Sequence, residues 1–168
     1  MTKPSMEPWL RGSIGGVDHL VAPTLFAFVQ AREDLDYYTT GFSIEQMWSK
    51  PFGLGSVGFH IRHIGRSVDR LTTYLEGLAL SQAQMAELGS EHEPGVSREE
   101  LLGEMERHLR RAEEVIRTLD AERLAEPRTV GRLRLPTTVI GLAIHIAEHT
   151  QRHVGQAIVT AKVVAAAT

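Results

Sequence analysis

The sequence predicts an all-α protein, a four-helix bundle with long connections between its helices. Three observations predict this class. Four segments carry apolar residues at alternating spacings of three and four, the period of an amphipathic helix. Clusters of Gly, Pro and Ser separate these segments, and two of the connections are long. The 168 residues, 42% of them hydrophobic, are enough for one domain with a buried core, so we predict a single domain over residues 1–168 with loosely ordered ends at 1–16 and 165–168.

The first long helix is predicted from Val17 to Thr39, ending before a glycine. Pro23 lies within this span, and proline is tolerated only in the first turn of a helix. A short helical turn is predicted next, because Ser43 is followed three residues later by Gln46, the spacing of a capping box. The apolar side of the first helix consists of Val21, Leu25, Phe28 and Leu35.

The second and third long helices have clear starts. Ser56 is a predicted N-cap, and the helix after it ends before Gly77. Ser97 and Glu100 form a capping box at the start of the third helix, whose apolar stripe continues to Leu119. The stripe of the second helix consists of Val57, Ile61, Ile64, Val68, Leu71 and Leu75.

The last part of the chain combines an irregular stretch with the fourth helix. Between Glu122 and Pro136 we predict irregular or weakly extended structure, with a short hairpin around Gly131. The fourth helix is predicted to start at residue 137 or 138 and to run toward Val164.

Composition excludes several classes of function. The chain has no cysteine, so it has no disulfide, no catalytic thiol and no thiolate ligand, and any metal site must use nitrogen and oxygen. A net charge of -3 gives no long-range attraction to nucleic acid or anionic lipid, and we expect no nucleic-acid partner. No apolar run approaches the ~18 residues of a membrane span, and the N-terminus lacks the apolar region of a signal peptide. We therefore expect no membrane association and a cytoplasmic location.

Histidines at helical spacing are the main candidates for function. On the fourth helix, His149 and His153 differ by about 40° around the helix axis and can reach one ion. They lie about 100° and about 60° from the centre of the apolar stripe, whereas His145 lies about 140° away. On the second helix, His60 lies about 60° and His63 about 120° from the stripe, so periodicity alone favours His60 without deciding the matter.

Three other histidines, His19, His92 and His108, are interpreted as half-buried residues bonded to carbonyl groups. Three neutral imidazoles suit zinc, nickel, copper or iron and leave a coordination position open for water or substrate. Carboxylate-bridged di-iron sites need Glu-x-x-His pairs and zincin sites need H-E-x-x-H, and neither pattern occurs in the chain.

Two segments resemble the DinB and YfiT-like family of small bacterial metal-binding four-helix bundles. The first, "HIGRSVDRLTTYL" from His63, is similar to the second-helix pattern of the family when His63 is the anchor, and not when His60 is. The second, "HIAEHTQRHVGQAI", resembles the last-helix pattern, which closes with His, any residue, Gly-Gln and an aliphatic residue. The resemblance implies metal ligands at His63, His149 and His153. It leaves His60 and His145 as neighbours that line the site.

The same resemblance implies a function, because some relatives are metal-dependent thiol transferases or isomerases. We expect a divalent-metal-dependent enzyme of the thiol S-transferase type, with zinc or nickel as the metal, a low-molecular-weight thiol or other small molecule as substrate, and metal-activated hydrolysis as the nearest variant. A non-catalytic metal-binding or small-ligand-binding stress-response protein remains open, as does a helical interaction module with incidental histidines. A homodimer is expected because dimers are common among relatives.

Hydrogen-bond partners for the histidines are harder to predict. Each ligating imidazole is expected to give its other N–H to an acceptor. Glu148 is expected to pair with Arg152 instead, and the connection over residues 78–96 has no ligand signature. Gly65 and Gly155 each follow a candidate ligand by two residues, which indicates close helix approach near the ion or simple packing. The partners considered from sequence proximity are Asp69, Tyr74, Glu148 and Gln156.

Overall fold

Four long helices form the bundle in the computed structural model, which describes residues 6–167. The all-α class is confirmed, because the sheet in the described range is a single two-stranded hairpin. Short 3-10 turns cover Pro8–Leu10 and Pro51–Gly53. The helices and strands are α1 Ala22–Thr39, α2 Ile44–Trp48, α3 Val57–Leu75, α4 Gln82–Glu87, α5 Arg98–Arg117, β1 Pro127–Val130, β2 Leu135–Thr138 and α6 Val139–Ala166.

The helix α3 is central to the packing. It packs against both α5 and α6, while α1 packs mainly against α6. Burying one large apolar side chain contributes about 1.5–3 kcal/mol, so the shared core holds these four helices together. The fully buried side chains include Phe28, Leu35, Ile61, Ile64, Leu101, Leu109 and Ile146.

The helix starts follow the predicted caps with one exception. The side chains of Ser43, Ser56 and Ser97 each accept the expected backbone hydrogen bond. The predicted start of α1 at Val17 is wrong, because the helix begins at Ala22. Starting there places Pro23 in the first turn, where its missing N–H removes no helical hydrogen bond.

The two long connections contain regular structure. A short helix, α4, was not predicted, although Ser81 and Gln84 form the same capping box that marks α2 and α5. The hairpin around Gly131 is confirmed, with β1 and β2 paired antiparallel and residues 131–134 at the tip. Backbone hydrogen bonds from α6 to residues 124 and 126 fix the hairpin at the start of that helix.

The ends of the chain are described in part. Arg11 forms an ion pair with Glu33 of α1, at 2.5 Å, and α6 continues to Ala166. Loose order over residues 1–16 and 165–168 stays a prediction, and residues 1–5 and 168 lie outside the described range. Within residues 6–167, no helix combines the length and the apolar character needed to cross a membrane.

The two glycines near the candidate ligands have different surroundings. A Cβ atom at Gly65 would lie 2.9 Å from the Cα atom of Met105, so α3 and α5 approach closely there. At Gly155 a Cβ atom would meet nothing within 4 Å. The expectation of close helix approach near the ion is therefore wrong for Gly155, and at Gly65 the close neighbour is α5 rather than the histidine-bearing α6.

This difference predicts opposite effects on stability. Gly65→Ala is expected to lower the free energy of unfolding by about 1–2 kcal/mol, because forcing two backbones apart outweighs the helix propensity gained. Gly155→Ala is the matched control and is expected to raise it by up to ~1 kcal/mol, since it adds propensity without a clash. Urea unfolding followed by circular dichroism measures both. Equal effects of the two substitutions would contradict the packing assignment.

Candidate metal centre

Histidines from α3 and α6 meet where these two helices pack side by side. His63, His149 and His153 each place one ring nitrogen within 4.8 Å of the other two. The three residues implied by the family resemblance therefore lie together. They are partly buried, so the group is accessible from one side.

The distances within this group fit a metal ion. The Nε2 atoms of His63 and His149 lie 3.0 Å apart. Bonds of 2.0–2.1 Å to a tetrahedral zinc ion would place ligand nitrogens about 3.4 Å from one another, within the range found here. The Nδ1 atom of His149 is buried and has no hydrogen-bond partner among residues 6–167. Because Nε2 of His149 faces His63, its Nδ1 atom is the one expected to have an outer acceptor, and this expectation is wrong for His149 within the described residues.

The orientation of His63 is fixed by a carboxylate. Its Nδ1 atom lies 2.6 Å from Oε2 of Glu91. An ionised carboxylate can only accept, so Nδ1 carries a hydrogen, while Nε2 faces His149. Arg70 lies 2.8 Å from the other carboxylate oxygen, close enough for an ion pair although not aligned as a hydrogen bond. Burial alone would raise the pKa of Glu91, but the hydrogen bond from His63 and the charge of Arg70 lower it below the ordinary value.

The segment that carries Glu91 is held by further arginines of α3. The Nη1 atom of Arg62 donates to the carbonyl of Glu93 at 2.6 Å and to that of Ser90 at 3.1 Å. Arg66 donates to the carbonyl of Glu87 at 3.2 Å. Residues 87–93 thus lie across α3 in a fixed position, which places the Glu91 carboxylate against His63.

His60 lies next to the group and contacts His153. The Nδ1 atoms of these two residues are 3.0 Å apart, and His60 is only 5% exposed. Its ring also bonds the backbone of Gly55. The contact with His60 occupies Nδ1 of His153, whereas Nε2 of His153 makes no hydrogen bond within residues 6–167. The helical wheel was correct that His60 points inward, yet His60 lies beside the three-nitrogen group rather than within it.

His60, His149 and His153 are neutral at physiological pH. Burial, and then the positive charge of His63, lower the pKa of His149 to about 4 and that of His153 to about 3. Burial is also the main cause that lowers the pKa of His60 to about 4. Neutral imidazole is the form that binds a metal ion, so these residues need no proton loss to act as ligands near pH 7.

The hydrogen-bond partner of His63 was missed from the sequence. Asp69 instead accepts from Gln84 at 2.5 Å and from Arg111 at 3.1 Å. Glu148 pairs with Arg152, as expected, and with His145. The one signal that could have revealed a buried acid is the spacing of Arg62, Arg66 and Arg70, which repeat every four residues beside the apolar stripe.

The remaining histidines lie outside the group. His19 is exposed, and His92 is exposed and stacks on Phe59 with ring centroids 4.1 Å apart, so the half-buried interpretation is wrong for both. His108 is partly buried, and its Nδ1 atom lies 3.6 Å from a carboxylate oxygen of Asp69 rather than on a carbonyl group.

A cavity of about 300 Å³ borders the site. His63 and His149 form one wall, and Leu71, Leu80 and Tyr74 lie farther along it. A small molecule can therefore approach the histidines from this side.

Fold and site together define a class of protein: a four-helix bundle whose second and last long helices supply a three-histidine group that could hold a metal ion. Comparison with known families agrees. The sequence model of the DinB superfamily matches residues 27–157, so the chain belongs to this DinB/YfiT-like family. No curated protein matches the chain.

Proposed function

We propose that the protein binds one divalent metal ion, zinc or nickel, through His63, His149 and His153. The observation that carries the proposal is the convergence of three imidazole nitrogens within 4.8 Å of one another. Two contacts support it, because Glu91 and His60 occupy the Nδ1 atoms of His63 and His153, so that Nε2 is the nitrogen of each residue that stays available to an ion.

The proposed activity is that of a metal-dependent thiol S-transferase-type enzyme in the cytoplasm. A divalent ion held by three neutral ligands keeps its positive charge and lowers the pKa of a bound thiol or water, which supplies a nucleophile at neutral pH. The chain itself contributes the binding cavity, in which Leu71 and Leu80 offer apolar surface and Tyr74 lies beside them. Small molecules are the proposed partners, with a homodimer as the proposed assembly.

Metal content of the wild-type protein tests the proposal first. Protein purified without an affinity tag is expected to contain about one zinc or nickel ion per chain by elemental analysis, and to regain it after chelator treatment. No metal even after reconstitution would overturn the proposal and favour a helical binding module. A screen of electrophiles with and without low-molecular-weight thiols then separates a transferase from a hydrolase and from a protein without turnover.

Glu91 is expected to control metal affinity although it is not a proposed ligand. Glu91→Ala should weaken metal binding about 10- to 100-fold, since His63 loses the acceptor that fixes its ring. Competition with a chromophoric chelator measures the change. Glu93→Ala is the matched control, because this exposed side chain lies two residues away and its hydrogen bond with Arg62 is made by the backbone carbonyl, which the substitution keeps. Equal affinities of the two variants would contradict this role of Glu91.

A further inference from the structure

A second and larger cavity adjoins the one at the histidines. Its volume is about 720 Å³, and it lies between the hairpin and the end of α3. Tyr74 and Leu80 line both cavities, so the two spaces meet at these side chains. His63 and Tyr74 are eleven residues apart on α3, which corresponds to about 16 Å along the helix.

The charges along these cavities are of one sign. Arg128, Arg132 and Arg134 line the larger cavity, and Arg70 lines the smaller one. No Asp or Glu lines either cavity in the described part of the chain, although the chain has a net charge of -3. A cleft lined by positive charge concentrates anions and raises the rate at which they bind.

The two arginines at the hairpin tip are available to a ligand. Arg132 and Arg134 are exposed, and their guanidinium groups make no hydrogen bond or ion pair with any residue of 6–167. Arg128, in contrast, donates to the carbonyl of Leu75 at 2.7 Å and to Glu126 at 2.8 Å. It is therefore held at the base of the cavity, while the tip arginines are free to turn toward a bound group.

The backbone at the tip adds a second observation. Arg134 has a φ of +50°, a left-handed conformation that Gly or Asn adopts at lower cost. A residue other than glycine that keeps such a backbone conformation is more typical of a functional position than of a turn selected for stability.

We propose that the two cavities form one substrate groove that takes an elongated anion. The carboxylate or phosphate group of this ligand lies at Arg132 and Arg134, where a guanidinium group can pair with two oxygens at once. The uncharged middle of the ligand passes Tyr74 and Leu80, and its reactive end reaches the histidines. Only the reactive end depends on the proposed metal function, because the anion site consists of the arginines alone.

Anion titration of the metal-free protein tests the anion site directly. Glutarate and inorganic phosphate are added at constant ionic strength, and amide shifts are followed by ¹⁵N NMR. Shifts are expected at residues 128–135 and near Tyr74, and the stronger of the two probes identifies the oxyanion. The double variant Arg132→Ala/Arg134→Ala should bind at least about 10-fold more weakly.

The matched control is Arg107→Ala/Arg110→Ala on α5, which removes the same charge from exposed positions outside both cavities. It is expected to bind like the wild type. Absence of NMR shifts at the hairpin would overturn the proposal. Equal weakening of anion binding in both double variants would also overturn it, because binding would then depend only on the overall charge of the protein.

A second measurement tests whether the cavities act as one groove. Cobalt(II)-loaded protein is titrated with mercaptoundecanoate and with mercaptoundecanol, alkanethiols that differ only in a terminal carboxylate or hydroxyl, and thiolate binding is read from the absorption spectrum. The carboxylate is expected to bind at least about 10-fold more tightly, with the preference lost in the tip variant. Equal binding of the two thiols would overturn the single groove. Failure to bind cobalt would count against the proposed metal function, and the anion titration would still decide the anion site.

Discussion

Replacing His149 with alanine is expected to abolish stoichiometric metal binding. The ring of His149 lies 5.1 Å from that of His63 and 4.6 Å from that of His153, the other two proposed ligands. Its removal leaves two nitrogens, and the affinity should fall by more than the roughly 10- to 100-fold that follows loss of an outer partner. His63→Ala should have the same effect. Elemental analysis and chelator competition measure both.

Two further substitutions show whether the effect is specific. His145→Ala is the matched control, because His145 lies one turn away on α6, is exposed and pairs with Glu148. It should keep one metal ion per chain. His60→Ala should keep the metal with reduced affinity, since His60 orients His153 without joining the group. Metal loss in His145→Ala with retention in His149→Ala would disprove the ligand assignment.

The metal-free protein is expected to lose stability as the pH falls from about 7 to about 4. In the folded protein the pKa of His60 and His149 is about 4 and that of His153 about 3, below the ordinary 6.5. Below pH 6.5 the unfolded chain therefore binds protons that the folded chain does not, and the free energy of unfolding decreases with acidification. One pKa unit corresponds to about 1.4 kcal/mol, so each of these three histidines contributes a loss on the order of 3 kcal/mol over this range.

Urea unfolding at a series of pH values, with a chelator present, measures this loss. His153→Gln removes the histidine with the lowest pKa and should flatten the dependence between pH 6.5 and 4.5. Carboxylates such as Glu91, whose pKa is lowered, contribute at lower pH, because their stabilisation is lost as they become protonated. Stability that stays constant or increases between pH 6.5 and 4.5 would contradict the burial of neutral histidines.

The helices were predictable because their signals are local. Ser56 and Ser97 mark starts that depend only on residues within one turn, and the apolar period identifies the buried face. The helix α4 has the same cap but too few residues to show a period, which explains why it was missed. The start of α1 was misplaced because apolar residues before Ala22 continue the period without belonging to the helix.

The site was predictable only in part, because its residues come together through packing. A helical wheel places His63 about 120° from the centre of the apolar stripe of α3. Because α6 packs on that side of α3, His63 nevertheless faces the histidines of α6. The family pattern identified His63 where periodicity favoured His60. The arginine spacing on α3 indicates a buried acid but does not say which one, since nothing in an aperiodic connection shows that residue 91 returns to α3.

The arginines that hold residues 87–93 set a condition for protein engineering. The two histidine-bearing helices, transplanted alone into another bundle, would carry the three imidazoles without the carboxylate that selects the nitrogen facing the ion. The connection cannot be shortened or exchanged as an ordinary surface loop, because the carbonyls of Glu87, Ser90 and Glu93 dock on Arg62 and Arg66. The smallest transferable unit therefore comprises α3, the segment through Glu93, and α6.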